Sequence, residues 1–194
     1  LGDKVLIHNY GHGGGGITMS WGSAELAVRE LPDLADRRAA VLGCGVIGLT
    51  TARLLQARGW QVTLYARELP PDTTSNVAGG LWAPTSVFRR DGVTPAFAAQ
   101  FAEALKLSHQ TFSRQVGPVY GVNWRENYYL GQWPQRAQDY YYLDQWPELF
   151  PGIVELTPDQ HPFPVPYALH HLSLLIEPAI FLPRLLQELQ VAHG

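Results

Sequence analysis

The sequence has a single cysteine, Cys44, among its 194 residues. No intrachain disulfide and no thiolate zinc site can be assembled from it, and it leaves the redox compartment unread. Positive charge is not in excess: 14 lysines and arginines against 17 acidic residues give a net charge of -3. That balance supplies no basic field for nucleic acid or an anionic membrane, so neither is expected as a partner. No apolar run reaches the roughly 18–20 residues that a membrane helix needs. Leu1-Gly2-Asp3-Lys4 lacks the apolar stretch of a secretory signal, and a soluble protein is expected, with the cytoplasm favoured. A starting methionine is also missing, from which residues upstream of Leu1 are expected. Repeats and low-complexity tracts are absent, the four glycines at 13–16 being too short for a linker. What remains is 46% hydrophobic and 16% charged. That suits a chain burying a sizeable core in one large domain, or in one domain with part of a second.

Val5-Leu6-Ile7-His8 reads as a short buried strand, with a glycine-rich turn from Gly11 to Gly16 after it. Ala24, Leu26, Ala27 and Leu31 have helical spacing, predicting a helix from Ser20 to about Leu31, which Pro32 to Asp36 break. The plan then repeats. Ala39-Ala40-Val41-Leu42 suits a parallel strand covered on both faces, a helix runs from about Val46 to Arg58 with Gly59 closing it, and Gln61 to Tyr65 is a second strand. Residues 66–93 read as irregular. A helix is predicted from about Pro95 to Gln115, with Phe97, Phe101, Leu105 and Phe112 on its apolar side. Residues 118–165 read as antiparallel strands with loops, Leu172 to Ile176 as a strand, and Ala179 to Ala192 as an amphipathic helix.

Between the strands at 39–42 and 61–65 stands Gly43-Cys44-Gly45-Val46-Ile47-Gly48, a Gly-x-Gly-x-x-Gly turn in strand–helix–strand context. Gly43 permits the tight turn, Gly45 the approach of a pyrophosphate to the backbone, and Gly48 the close packing of helix on strand. Cys44, Val46 and Ile47 contribute amides at the positive end of the helix dipole. Arg67 and Glu68 follow the second strand. Glu68 stands 20 residues beyond Gly48, where an acidic side chain holds the adenosine ribose, whereas Arg67 suits a 2′-phosphate. NAD, NADP and FAD remain open on this unit alone. His12 reads as a histidine holding loop backbone. His170 and His171 read as structural rather than metal-binding, since adjacent strand residues face opposite sides, and no metal is expected.

Two longer stretches carry a resemblance. Residues 73–84, Thr-Thr-Ser-Asn-Val-Ala-Gly-Gly-Leu-Trp-Ala-Pro, resemble the segment after the second strand in the D-amino-acid oxidase family. Residues 8–18, with the Trp21-Gly22 that follows, resemble that family's late flavin-contacting loop, and His171 to Leu174 is more weakly similar. The resemblance implies an α/β fold: a Rossmann-type FAD-binding domain with a parallel sheet, plus part of an antiparallel substrate-domain sheet. Residues 1–93 form the FAD-binding core, made of a flavin loop at 5–31, the β-α-β unit at 39–65 and a cofactor loop at 66–84. Residues 94–165 belong to the substrate side, and 166–194 return to the FAD domain. It further implies that Gly13, Gly14, Gly15, Gly16, Ile17 and Thr18 lie along the flavin ring edge and ribityl chain. Thr73, Thr74 and Ser75 would meet phosphate oxygens, Gly80 and Leu81 would bring backbone close to the ring, and the Gly14 carbonyl would accept from the substrate amine. The implied reaction passes a hydride from the Cα–H of a D-amino acid or related amine to FAD. Dioxygen then takes the electrons as hydrogen peroxide, and the imino acid hydrolyses to keto acid and ammonia. No side-chain catalyst is identifiable, and a homodimer is among the expectations.

In most members of that family the motif found here at 8–18 stands near the C-terminus. The resemblance therefore implies a circular permutation, with residues 32–38 bridging the old end to the old beginning; seven extended residues reach about 25 Å. No stretch matches the family's carboxylate-binding arginine motif, the tyrosines that cover the substrate are unplaced, and Ala83 stands where many members carry a polar residue. The chain alone is accordingly expected to hold nucleotide without turnover. Two alternatives stand beside the oxidase: an NADP-dependent dehydrogenase, carried by Arg67, and a nucleotide-binding fragment with no catalysis of its own.

Overall fold

The computed structural model describes residues 4–191. The expected β-α-β unit forms, but one face of both its strands is exposed rather than covered. β1 (Arg38–Leu42) runs parallel to β2 (Gln61–Tyr65), in register from Arg38 opposite Gln61 to Leu42 opposite Tyr65. The first helix of the chain, α1 (Gly16–Arg29), precedes this unit, and α2 (Val46–Ala57) connects its two strands. α2 closes where expected, the Gly59 amide donating to the Gln56 carbonyl at 2.9 Å. α1 packs against α2 on one side and α3 (Pro95–Arg114) on the other, and its Gly22 amide donates to Ser108 Oγ on α3 at 2.7 Å. The start of α3 is set by Thr94, whose hydroxyl accepts from the Phe97 amide at 3.2 Å, and by Pro95 in the first turn.

The second sheet is antiparallel, with β3 (Val122–Gly131), β4 (Val154–Leu156) and β5 (Tyr167–Ile176) in the order β3-β5-β4. β3 and β5 pair over ten residues, from Val122 opposite Ile176 to Gly131 opposite Tyr167. A short helix, α4 (Tyr141–Gln145), lies between β3 and β4, and α5 (Pro178–Val191) packs on α2. Glu188 fastens α5 there. One carboxylate oxygen meets Arg53 of α2 at 3.1 Å, while the other accepts from the Tyr120 hydroxyl at 2.7 Å and Arg184 Nε at 3.0 Å. One apolar cluster fills the space between helices and sheet, with Trp82, Leu105, Phe112, Phe150, Leu174 and Phe181 fully buried.

The fold is thus mixed α/β, with a small parallel sheet and a three-stranded antiparallel one, and it corrects several expectations. The strand expected at Val5 to His8 does not form: residues 4–12 carry no strand, and Val5 and Leu6 are 46% and 59% exposed. A strand exists only through a hydrogen-bonded neighbour, and among the described residues β1 pairs with β2 alone. α1 begins at Gly16, four residues before the predicted start, so Gly16, Ile17 and Thr18 are its first turn rather than loop. β5 begins at Tyr167 rather than Leu172, because β3 pairs with its whole length. Residues 118–165 hold α4 as well as strands. Phe97 does share the apolar side of α3 with Phe101, their rings stacked at 6.0 Å, though it is 37% exposed. The last helix reaches Val191; Ala192 lies outside the described residues.

Candidate functional site

Two helices start side by side. α2 begins at the turn Gly43-Cys44-Gly45, with Val46, Ile47 and Gly48 as its first turn. α1 begins where the short 3₁₀ turn Gly13–Gly15 passes into Gly16, Ile17 and Thr18. A Cβ on Gly16 would lie 3.9 Å from Val46, and one turn further along Thr50 of α2 donates its hydroxyl to the Ser20 carbonyl of α1 at 3.2 Å. The positive ends of two helix dipoles therefore meet. Neither helix has an acidic residue in its first turn, so no carboxylate of their own first turns neutralises that field.

The α2 turn is held by contacts that its glycines alone allow. The Gly43 amide donates to the Tyr65 carbonyl at the end of β2, at 2.7 Å, tying the turn to both strands. A Cβ at Gly48 would be driven into the Gly43 carbonyl, 2.8 Å from its carbon, so the third glycine is what lets the helix leave so close to β1. Cys44 is buried beneath the turn, and burial pushes its thiol pKa up. That keeps it a neutral packing residue.

The segment 73–84 closes the site from the other side. Ser75 Oγ accepts from the Val46 amide at 3.0 Å, an N-cap supplied from 29 positions away. The Ile47 and Gly48 amides have no side-chain acceptor among the described residues. Thr73 is buried and donates to Asn76 Oδ1 at 2.8 Å, whereas Thr74 is exposed. Gly80 has φ +74°, and a Cβ there would strike the Ile176 carbonyl; its own carbonyl accepts from the Ile176 amide at 2.9 Å. From there the chain runs beside β5. Leu81 bridges to Leu175, the Trp82 amide donates to the Leu174 carbonyl at 2.7 Å, and Ser173 Oγ donates to the Trp82 carbonyl at 2.5 Å.

Thr18 then clamps this segment to α1. Its hydroxyl lies 3.1 Å from the Ala83 carbonyl and 3.3 Å from the Ala83 amide, and its own carbonyl accepts from the Trp82 indole at 3.1 Å. The side chain is buried, so its part in the site is to position Ala83. The sequence reading missed this clamp and also the strap at 84–88. There the Ser86 carbonyl accepts from the Gly14 amide at 3.1 Å, and the Tyr141 hydroxyl donates to the Pro84 carbonyl. Ser86 has φ +58°, a conformation that nothing in the sequence signals.

Gly13 and Gly14 are exposed at the mouth of the site, while Gly15 and Ile17 are buried. His12 precedes them; its carbonyl accepts from the Gly15 amide at 3.0 Å, and partial burial of the ring holds its pKa down. Among the described residues the His12 ring makes no hydrogen bond, so the loop is held by its backbone rather than by the imidazole. Arg67 and Glu68, just past β2, pair with each other at 3.1 Å, with the arginine side chain 90% exposed. Both His170 and His171 bond backbone carbonyls through Nδ1, at 3.0 and 3.1 Å.

A model of the FAD dependent oxidoreductase family matches residues 38–194. Over 55 residues the chain is 56% identical to a D-amino-acid oxidase of Streptomyces coelicolor, covering 28% of this chain and 17% of that protein. Over 56 residues it is 46% identical to a D-amino-acid oxidase of Rubrobacter xylanophilus, covering 29% and 17%. Over 53 residues it is 43% identical to a tRNA 5-methylaminomethyl-2-thiouridine biosynthesis bifunctional protein of Burkholderia multivorans, covering 26% and 8%. The matched stretches thus span under a fifth of these curated relatives. The chain belongs to the FAD-dependent oxidoreductases, and its cofactor is FAD. The site fits that group: paired helix N-termini free of acidic residues and first-turn amides awaiting acceptors are what a pyrophosphate requires. FAD carries no 2′-phosphate, so the NADP alternative resting on Arg67 is set aside.

Proposed function

With an FAD-dependent oxidoreductase as the premise, we propose that this chain forms the flavin-holding part of an oxidase acting on a D-amino acid or related small amine. The observation that carries this is the three-way junction of α1, α2 and the Gly80–Ala83 segment, clamped by Thr18. It joins a pyrophosphate-binding turn to a second helix N-terminus that a dinucleotide turn alone does not require. FAD, when bound, supplies the hydride acceptor and the centre at which dioxygen becomes hydrogen peroxide. The amides of Val46, Ile47 and Gly48, with Thr74 and Ser75, hold the pyrophosphate. Glu68, beside Arg67, reaches the adenosine ribose. Gly13 to Thr18 lie along the flavin ring, where the positive end of α1 stabilises negative charge. Gly80 and Leu81 bring backbone against the ring, and the Gly14 carbonyl orients the substrate amine.

The same reading takes residues 5–31 as the segment that follows the substrate domain in most relatives, so that the motif order is circularly permuted. A family match that starts at residue 38 supports this, as does the passage of residues 30–37 from the end of α1 directly to β1.

Two measurements test the proposal. Titration with FAD is expected to give a yellow one-to-one complex. Anaerobic addition of D-alanine to the flavin-loaded full gene product is expected to bleach the visible flavin band, with L-alanine inert. Bleaching by L-alanine alone, or by no amino acid or amine, overturns the substrate class.

A further inference from the structure

The strap from Pro84 to Phe88 has two sides. One lies on the glycine loop, through the Ser86 carbonyl on the Gly14 amide and Val87 packed on Gly15. The other side faces an open pocket of about 300 Å³ between α3 and α4, lined by Phe88, Ala98, Phe101, Tyr141, Gln145 and Trp146. The rings stand edge to face: Phe88 to Phe101 at 4.8 Å between centroids, Phe88 to Tyr141 at 6.3 Å, Tyr141 to Trp146 at 6.2 Å. Such walls present ring faces and edges to a further ring.

Among the described residues no lysine, arginine, histidine or carboxylate lines the pocket. The Tyr141 hydroxyl is turned back onto the Pro84 carbonyl. Gln145 Nε2 donates to Asp144 at 3.3 Å, while its Oε1 accepts no hydrogen bond among the described residues. An anionic guest would lose hydration here without gaining a counter-charge, the charge in contact with the lining being the Asp144 carboxylate on Gln145. Aromatic walls with the Gln145 Oε1 open as an acceptor select a flat molecule that carries a donor and no negative charge.

We propose that this pocket binds an aromatic small molecule that carries an N–H or O–H donor and no negative charge, and that its occupancy passes through the strap to the glycine loop. The second half rests on the reading of Gly13 to Thr18 as flavin-contacting. Indole is the probe, titrated calorimetrically into the chain without flavin and again with FAD. The expected result is saturable one-to-one binding in both, at least about tenfold weaker for indole-2-carboxylate, which adds a charge to the same rings. Ala98→Phe fills the pocket from an exposed position in the first turn of α3 and is expected to weaken indole binding at least tenfold with the thermal midpoint unchanged. Gln145→Met removes the acceptor at similar volume and is expected to weaken binding severalfold; it decides the matter should Ala98→Phe fail to fold. In the flavin-loaded chain, indole is expected to change flavin fluorescence.

No saturable binding to the flavin-free chain, equal affinity for the carboxylate, or undiminished binding by the folded variants overturns the site. Binding with flavin fluorescence unmoved overturns the transmission. A chain that takes up no FAD yet still binds indole overturns the cofactor reading and leaves the pocket standing.

Discussion

The two glycine turns at the site are built on different principles. In the turn at 43–48 the constraint is local: Gly48 meets the carbonyl of Gly43 five residues earlier, and the Gly43 amide is fixed by the adjacent strand. In the loop at 13–18 the constraint comes from far away. Gly13 and Gly14 lie against Ser86, Gly15 against Val87, and Thr18 against Ala83. One turn is a property of its own six residues; the other is a seat for a segment some seventy positions distant.

That difference breaks open most widely at Gly48. Gly48→Ala places a methyl against backbone that cannot rotate aside, and the helix must leave the strand. The expected cost is about 3 kcal/mol or more in stability, with FAD affinity down by two or more powers of ten, read by thermal unfolding and flavin titration. Gly15→Ala meets only the tip of the Val87 side chain. A smaller loss of about 1–2 kcal/mol is expected, and Val87→Ala in the same chain should restore most of it. A double-mutant cycle measures this rescue directly. If Gly15→Ala proved as damaging as Gly48→Ala and beyond rescue, the loop would be locally constrained after all.

The same contrast explains what was legible in the sequence. β1, α2 and β2 stand almost where periodicity put them, because strand, glycine turn and helix each follow from neighbouring residues. The tight turn at Gly43 and the close helix packing at Gly48 follow from spacing for the same reason. At Val5 to His8 the apolar pattern was right for a strand, but no pattern carries the pairing partner that a strand requires. Thr18 could be picked as a site residue, yet its hydroxyl proved to serve Ala83, 65 positions away. The Ser86 turn, the Tyr141 bond to Pro84 and the length of β5 are likewise products of tertiary contact. Arg67 and Glu68 fell between these cases: their place past β2 was legible, their pairing with each other was not.

Ser75 links the two modes, being a distant residue that caps the local turn. Ser75→Ala leaves the Val46 amide without its acceptor and is expected to cost about 1 kcal/mol. FAD binding should offset much of this, since phosphate oxygens can take over the amide; a variant as destabilised with FAD as without it would exclude phosphate from that amide.

The smallest effects separate the two turns by pH. His12 precedes the loop and burial lowers its pKa below 6.5. The unfolded chain thus binds the proton more readily than the folded one, so this contribution is complete above about pH 6.5 and lost as pH falls below it. Cys44 sits in the other turn with its pKa raised above 9.0 by burial. Its contribution is complete below about pH 9 and lost as pH rises past it, when the unfolded thiol ionises first. His12→Asn should therefore flatten the fall in unfolding temperature on the acid side alone, and Cys44→Ala on the alkaline side alone. Each is read from thermal unfolding across about pH 5 to 10. A shared response of both variants on one side would mean that the two turns do not titrate as separate units.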